Sequence, residues 1–223
     1  MWEYDDDEGR WQDEETKYSY DPADDKFGFQ DNLDLSMEEV PLGIRQELES
    51  TAREKILEII GDAASIDEGP AVKLTSQFEQ GQPIATVALT DQTIFGSLGA
   101  TPCLIIFSVG FSRSKATYYA KGAHRCDVYL LPAKFFEDMS SDPGTELSDL
   151  QFYIVGGEVG SHTGAEGATM DYSRYFPFFL QSQQSEIKLG GIRFPSNPTP
   201  DDTTSAALRL VQSQPKVYFR LAK

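Results

Sequence analysis

Metal-binding and disulfide-built architectures fall away first, because the 223-residue chain holds only two cysteines and two histidines. Neither Cys-x-x-Cys nor His-x-x-x-His spacing occurs, so no metal or other cofactor is expected. His124-Arg125-Cys126 sets two metal-capable side chains close together, but on a strand this spacing leaves only that pair on one face. Two thiols do not make a disulfide framework, and a reduced, cytoplasmic chain is the expectation. No apolar run approaches the ~18 residues that a membrane-spanning helix needs. The opening residues, Met1-Trp2-Glu3-Tyr4-Asp5, have neither the basic start nor the apolar run of a secretory signal. Positive charge is scarce as well, with 19 Lys and Arg against 36 Asp and Glu and a net charge of -17. Nucleic acids and anionic membranes both call for a basic surface, so neither is expected as a partner. The phosphate-binding Gly-x-x-x-x-Gly-Lys pattern and the Gly-x-Ser-x-Gly elbow are missing. Gly156-Gly157-Glu158-Val159-Gly160 is glycine-rich but lacks a following Lys.

What charge there is sits at one end. Residues 1–40 hold fifteen acids against Arg10, Lys17 and Lys26, whereas residues 41–223 hold twenty-one acids against sixteen bases. The leader has almost no aliphatic side chains before Leu33, which predicts too little apolar burial to offset chain entropy. Residues 1–35 are therefore expected to be a disordered acidic tail, and 36–223 a single domain without internal repeats. The leader also carries both tryptophans, Trp2 and Trp11, with Tyr4, Tyr18, Tyr20, Phe27 and Phe29. Aromatics among acids suit a segment that docks on a protein partner; the other reading is a solvated tail.

The body begins with a helical pattern over 36–61. Ser36 and Glu39 have capping-box spacing, Ile44, Leu48, Ala52 and Ile56 share one face, and Gly61 is a natural stop. Short strand-like runs follow at 71–75, 84–89, 103–109, 116–120, 127–131 and 151–155. Cys103–Val109 is almost wholly apolar, which predicts burial on both faces. Residues 132–139 fit a short helix, 156–171 a loop, 172–180 an aromatic stretch and 187–194 a strand. Residues 203–211 fit a further short helix capped near Asp201 or Asp202, and 216–221 a closing strand. The expected fold is α+β: a mixed, mainly antiparallel central sheet layered with helices.

One constellation carries chemistry. Cys103 starts the most apolar strand just after a turn with two glycines, Gly96 and Gly99. His124 lies on or after the next strand. A thiol beside an imidazole makes a thiolate nucleophile. Their alignment depends on the turn: centred on residue 111 it sets Tyr119 opposite Cys103, on 112 Lys121, and between 113 and 114 His124. His162, in a polar loop, is the second candidate base. Cys126 pairs with Cys103 as a redox switch only if the strands align. The bland alternative is that Cys103 is a small core residue and His124 an ordinary hydrogen-bonded one.

The segment Ser97-Leu98-Gly99-Ala100-Thr101-Pro102-Cys103-Leu104-Ile105-Ile106-Phe107 resembles the nucleophile segment of the chemoreceptor glutamine deamidases. Their fold and Cys–His arrangement are shared by the cytotoxic necrotizing factor catalytic domain. In that family a Thr stands six residues before the Cys and a Gly four before, with an apolar strand after it and a His on the next strand. The resemblance implies Cys103 as nucleophile, His124 as general base and Ser97 in the Thr position, orienting the imidazole. Gly99 matches, whereas Thr101 and Pro102 stand where Gly-Ser is usual. The implied activity is hydrolysis of a glutamine side-chain amide on a protein substrate. The alternative is a non-catalytic interaction protein that binds its partner through the acidic aromatic leader.

Overall fold

The computed structural model describes residues 1–30, 32–36, 39–70, 72–100, 103–126, 133–141, 147–156, 171–193 and 203–222. The leader is not a disordered tail. It folds as a five-stranded antiparallel meander of β1 (Trp2–Asp5), β2 (Arg10–Asp13), β3 (Tyr18–Asp21), β4 (Lys26–Phe29) and β5 (Asn32–Leu35), in chain order across the sheet. Its first three turns repeat every eight residues. Asp5, Asp13 and Asp21 open them, and Gly9, Lys17 and Asp25 take the positive φ values of 69°, 64° and 56° that close them. The opening carboxylates accept turn amides: Asp5 from Asp7 and Glu8 at 3.0 Å, Asp13 from Glu15 at 3.1 Å, Asp21 from Ala23 at 2.8 Å. Much of the acid is thus turn chemistry.

Alternate strand residues of the meander face inward. Trp11 stands opposite Tyr20, Tyr20 opposite Phe27, and Trp2, Trp11, Tyr20 and Phe27 are fully buried. Aromatic residues therefore replace the missing aliphatic ones as the buried face, since each covers an unusually large apolar area. This face packs on helices. Among the described residues these are α1 (Leu42–Ile60), α2 (Ala133–Ser140) and α3 (Asp171–Gln184). Trp11 Nε1 donates to the Ser173 carbonyl at 3.0 Å, and the Phe176 ring meets both Tyr4 and Trp11. Glu49 of α1 is buried at the start of α3 and accepts from Tyr172 N at 2.9 Å and Ser173 N at 3.1 Å. A carboxylate suits that place, where helical amides have no partner of their own.

The remaining strands are β6 (Ala64–Ser65), β7 (Ser76–Gln77), β8 (Ala85–Ala88), β9 (Ile94–Ser97), β10 (Leu104–Ser112), β11 (Thr117–Arg125), β12 (Leu147–Gly156), β13 (Leu189–Arg193), β14 (Thr203–Val211) and β15 (Gln214–Ala222). They form two sheets. One is six-stranded, in the order β6-β13-β12-β10-β11-β8, and the other four-stranded, β15-β14-β9-β7. The β10 strand sits in the middle of the larger sheet and is buried on both faces. Leu104 and Ile106 join the core shared with the helices and the meander, while Ile105, Phe107 and Val109 join Phe95, Leu208, Val217 and Phe219 between the two sheets.

The layers therefore run meander, helices, six-stranded sheet, four-stranded sheet. This corrects the expected α+β class, because the described chain is mostly β and its strands fall into three sheets. One misread segment, and an aromatic stretch to which the sequence assigns no element, account for the rest of the difference. Thr203–Val211, expected as a helix, is a strand paired on both sides, to β15 and β9. Its Ala and Leu content favours a helix locally, but Thr204, Ala206 and Leu208 fit the pleat and are buried along one face, so tertiary pairing prevails. The aromatic stretch at 172–180 is helical, with Pro177 inside α3. The strand expected at 127–131 lies outside the described residues. Helix α1 does end at Gly61, whose N–H bonds to the Leu57 carbonyl at 3.0 Å. Among the described residues no helix is long and apolar enough to cross a membrane.

Candidate active site

Two of the three residues singled out by the sequence meet between the sheets. Ser97 ends β9 in the four-stranded sheet, His124 lies near the end of β11 in the six-stranded sheet, and both are buried. Ser97 Oγ stands 2.8 Å from His124 Nδ1 and 2.6 Å from the Phe78 carbonyl oxygen. A serine has one hydroxyl proton, and a carbonyl only accepts. The proton therefore goes to Phe78, so Ser97 accepts from an Nδ1–H. That fixes the tautomer: Nε2 carries the free lone pair. Nε2 is buried and has no hydrogen-bond partner among the described residues. Burial also pushes the His124 pKa below its ordinary value of 6.5, so the ring is neutral at neutral pH. A neutral imidazole with an open Nε2 is poised as a general base.

The segment around Phe78 holds this dyad. Phe78 N donates to the Gly96 carbonyl at 3.1 Å, and Gly81 N donates to the His124 carbonyl at 3.2 Å. The Phe78 ring lies over Gly122, where a Cβ would come within 2.3 Å of a ring carbon. Sequence reading did not single out Phe78. The accessible signal was Gly122 inside an otherwise regular strand, which marks close approach by another group.

Cys103 lies just before β10. The β10–β11 turn falls at residues 113–116, one residue later than the alignment that sets His124 opposite Cys103. Leu104 pairs with Arg125 and Ile105 with His124, and Cys103 consequently faces Cys126. The structure joins these two cysteines in a disulfide. Side chains two apart on a strand share a face, so Cys103, Ile105, His124 and Cys126 all point into the space between the sheets. Cys103, Ile105 and Cys126 belong to the same apolar cluster there. Cys103 and His124 are thus diagonal cross-strand neighbours, a relationship with Cα separations of roughly 7–8 Å that long side chains span.

The backbone around Cys103 is closely packed. Gly156, at the end of β12, has φ 109°, and a Cβ there would lie 2.5 Å from the Cys103 carbonyl oxygen and 3.0 Å from that of Ala100. Only glycine fits both the conformation and the space. Gly99 has φ 72°, and Ala100 N donates to the Thr204 carbonyl at 2.7 Å, tying the turn before Cys103 to β14. Thr101, Pro102 and the second candidate base, His162, lie outside the described residues. Among the described residues no group of three or more His, Cys, Asp or Glu side chains is placed to hold a metal ion.

No protein-family model matches the chain. No curated protein matches it either.

Proposed function

We propose that the protein is a cysteine hydrolase of the glutamine-deamidase type, acting on a side-chain carboxamide of a protein substrate. The observation that carries this reading is the Ser97–His124 hydrogen bond. It joins the residues in the Thr and His positions of the deamidase pattern, and it leaves Nε2 open on the face that Cys103 shares. With Cys103 as a free thiol, His124 Nε2 takes its proton and the thiolate attacks the carboxamide carbon. The tetrahedral species expels ammonia, which receives that proton from His124. Water, deprotonated by His124, then cleaves the thioester and leaves glutamate, restoring Cys103.

A structural cross-link is the competing role for the Cys103–Cys126 bond, and it goes with a protein that binds rather than catalyses. The two readings separate in one experiment. The reduced full-length chain is incubated with glutamine-rich casein as a surrogate protein substrate, and conversion of glutamine to glutamate is followed by peptide mass spectrometry. In parallel, iodoacetamide labelling of Cys103 is measured against pH. Conversion that disappears in Cys103→Ala, with a labelling midpoint well below the ordinary cysteine pKa of about 8.5, supports the hydrolase. Conversion that persists in Cys103→Ala, or a Cys103 that labels like an ordinary thiol, refutes it.

A further inference from the structure

We propose that Cys126 is a thiol-exchange site: a dithiol reductant attacks its sulfur, Cys103 leaves as the thiolate, and the state of this bond determines whether the site is open. This rests on reading Cys103 as the nucleophile, because a sulfur held in a disulfide attacks nothing.

The two sulfurs differ in access. Cys103 is 3% exposed, whereas Cys126 is only partly buried and packs at the margin of the cluster between the sheets. Thiol–disulfide exchange proceeds by attack on the sulfur that a thiolate can reach, and it expels the other. Cys126 is the more exposed residue of the two, which makes its sulfur the one attacked in this proposal and Cys103 the one expelled. The first step forms a mixed disulfide between Cys126 and the reductant and releases the Cys103 thiolate. In the second step the reductant's other thiol attacks its own sulfur in that mixed disulfide. Cys126 leaves as a thiol, and the reductant departs as its cyclic disulfide. Two electrons and two protons pass from the dithiol to the protein.

His124 gives the expelled sulfur somewhere to go. Among the described residues its Nε2 is a buried acceptor without a partner, and such an orphan costs stability until a donor arrives. The Cys103 thiol is freed on the same face, one diagonal step away. Reduction therefore supplies a hydrogen-bond donor to a ring that Ser97 has already oriented. The same bond whose opening liberates the nucleophile also completes its contact with the base. Cys126 is two residues from His124, just past the end of β11, so the exchange site sits beside the catalytic pair without belonging to it.

The test uses the full chain purified without reductant. Untreated protein should label with iodoacetamide at neither cysteine. Brief exposure to reduced glutathione, quenched with acid before a second thiol resolves the mixed disulfide, should leave its adduct on Cys126. Dithiothreitol should open both cysteines to label. Cys126→Ser, or Cys126→Ala should the serine fold poorly, should label at Cys103 with no reductant at all. Glutathione mapping on Cys103, or full labelling of both cysteines in the untreated chain, overturns the proposal. The hydrolase reading fails separately. If glutathione maps to Cys126 but Cys103 of Cys126→Ser titrates like an ordinary thiol, the exchange site stands and the nucleophile does not.

Discussion

Ser97 Oγ and His124 Nδ1 meet at 2.8 Å across the gap between two sheets, with the Phe78 carbonyl taking the serine proton. The imidazole is oriented by a residue of the other layer, so its geometry depends on how the two sheets pack. Removing the hydroxyl should be felt twice. Ser97→Ala leaves a buried Nδ1–H unpartnered, which costs ~1–3 kcal/mol of stability, and it frees the ring to turn. We expect a lower denaturant midpoint and slower labelling of Cys103 in the reduced protein. Ser97→Thr keeps the hydroxyl and should recover most of the labelling rate. Equal rates in all three proteins would sink the positioning role.

The pH dependence of folding has a definite sign. Burial lowers the His124 pKa in the folded chain, so the unfolded chain binds the proton first. Both states carry a neutral ring well above pH 6.5, and there the ring contributes no slope. As pH falls below 6.5 the unfolded state gains protons and stability declines, until the folded ring also titrates. Urea unfolding at pH 7.5 and 5.5 should show this loss in the wild type and a smaller one in His124→Gln. A wild type whose stability rises on acidification across that interval would contradict it.

Gly156 gives a steric prediction. Alanine there must adopt φ 109° and place its Cβ against the Cys103 and Ala100 carbonyl oxygens. Backbone strain of this kind costs ~1–3 kcal/mol. Gly156→Ala should lower the melting temperature and shift the Cys103 labelling profile. Gly43, where a Cβ meets nothing within 4 Å, is the control, and Gly43→Ala should be near neutral. Identical behaviour of the two variants would argue against a crowded nucleophile turn.

The meander makes both tryptophans reporters of order. Trp2 and Trp11 are 1% and 0% exposed, so their emission should be blue-shifted and poorly quenched by iodide. It should turn red and quenchable on unfolding. Trp11→Ala removes a buried indole and its bond to Ser173, a change that costs ~3–5 kcal/mol in a packed core. Solvent-like emission from the native protein would restore the disordered tail.

Composition hid the meander because averages erase alternation. Residues 1–35 are acidic overall, yet the acids concentrate in the turns and the aromatics alternate along the strands. Asp5, Asp13 and Asp21 stand eight apart in the sequence, and that spacing was legible before any coordinates. Cys103–Val109 was readable as a doubly buried strand because nothing polar interrupts it before Ser108. Thr203–Val211 was not, since its neighbours β9 and β15 are separated from it in the sheet by nothing that local propensity records. At the site, Ser97 and His124 are hydrogen-bonded, while their catalytic roles rest on the proposal alone. The Cys103–Cys126 alignment turned on where the turn falls to a single residue, a distinction that Gly110-Phe111-Ser112-Arg113-Ser114-Lys115 does not encode.

The bond from Trp11 to Ser173 spans 162 residues of chain. During synthesis the first 35 residues can pair into their hairpins almost at once, since every partner is close by. The lid for their aromatic side, α3, emerges only much later. Until then the newborn sheet presents Trp2, Trp11, Tyr20 and Phe27 to the surrounding water and to other nascent chains. The carboxylates crowding its turns surround that sticky face with like charge, so that two unfinished copies repel each other. The acidity of the leader then belongs as much to the time before folding is complete as to the finished molecule.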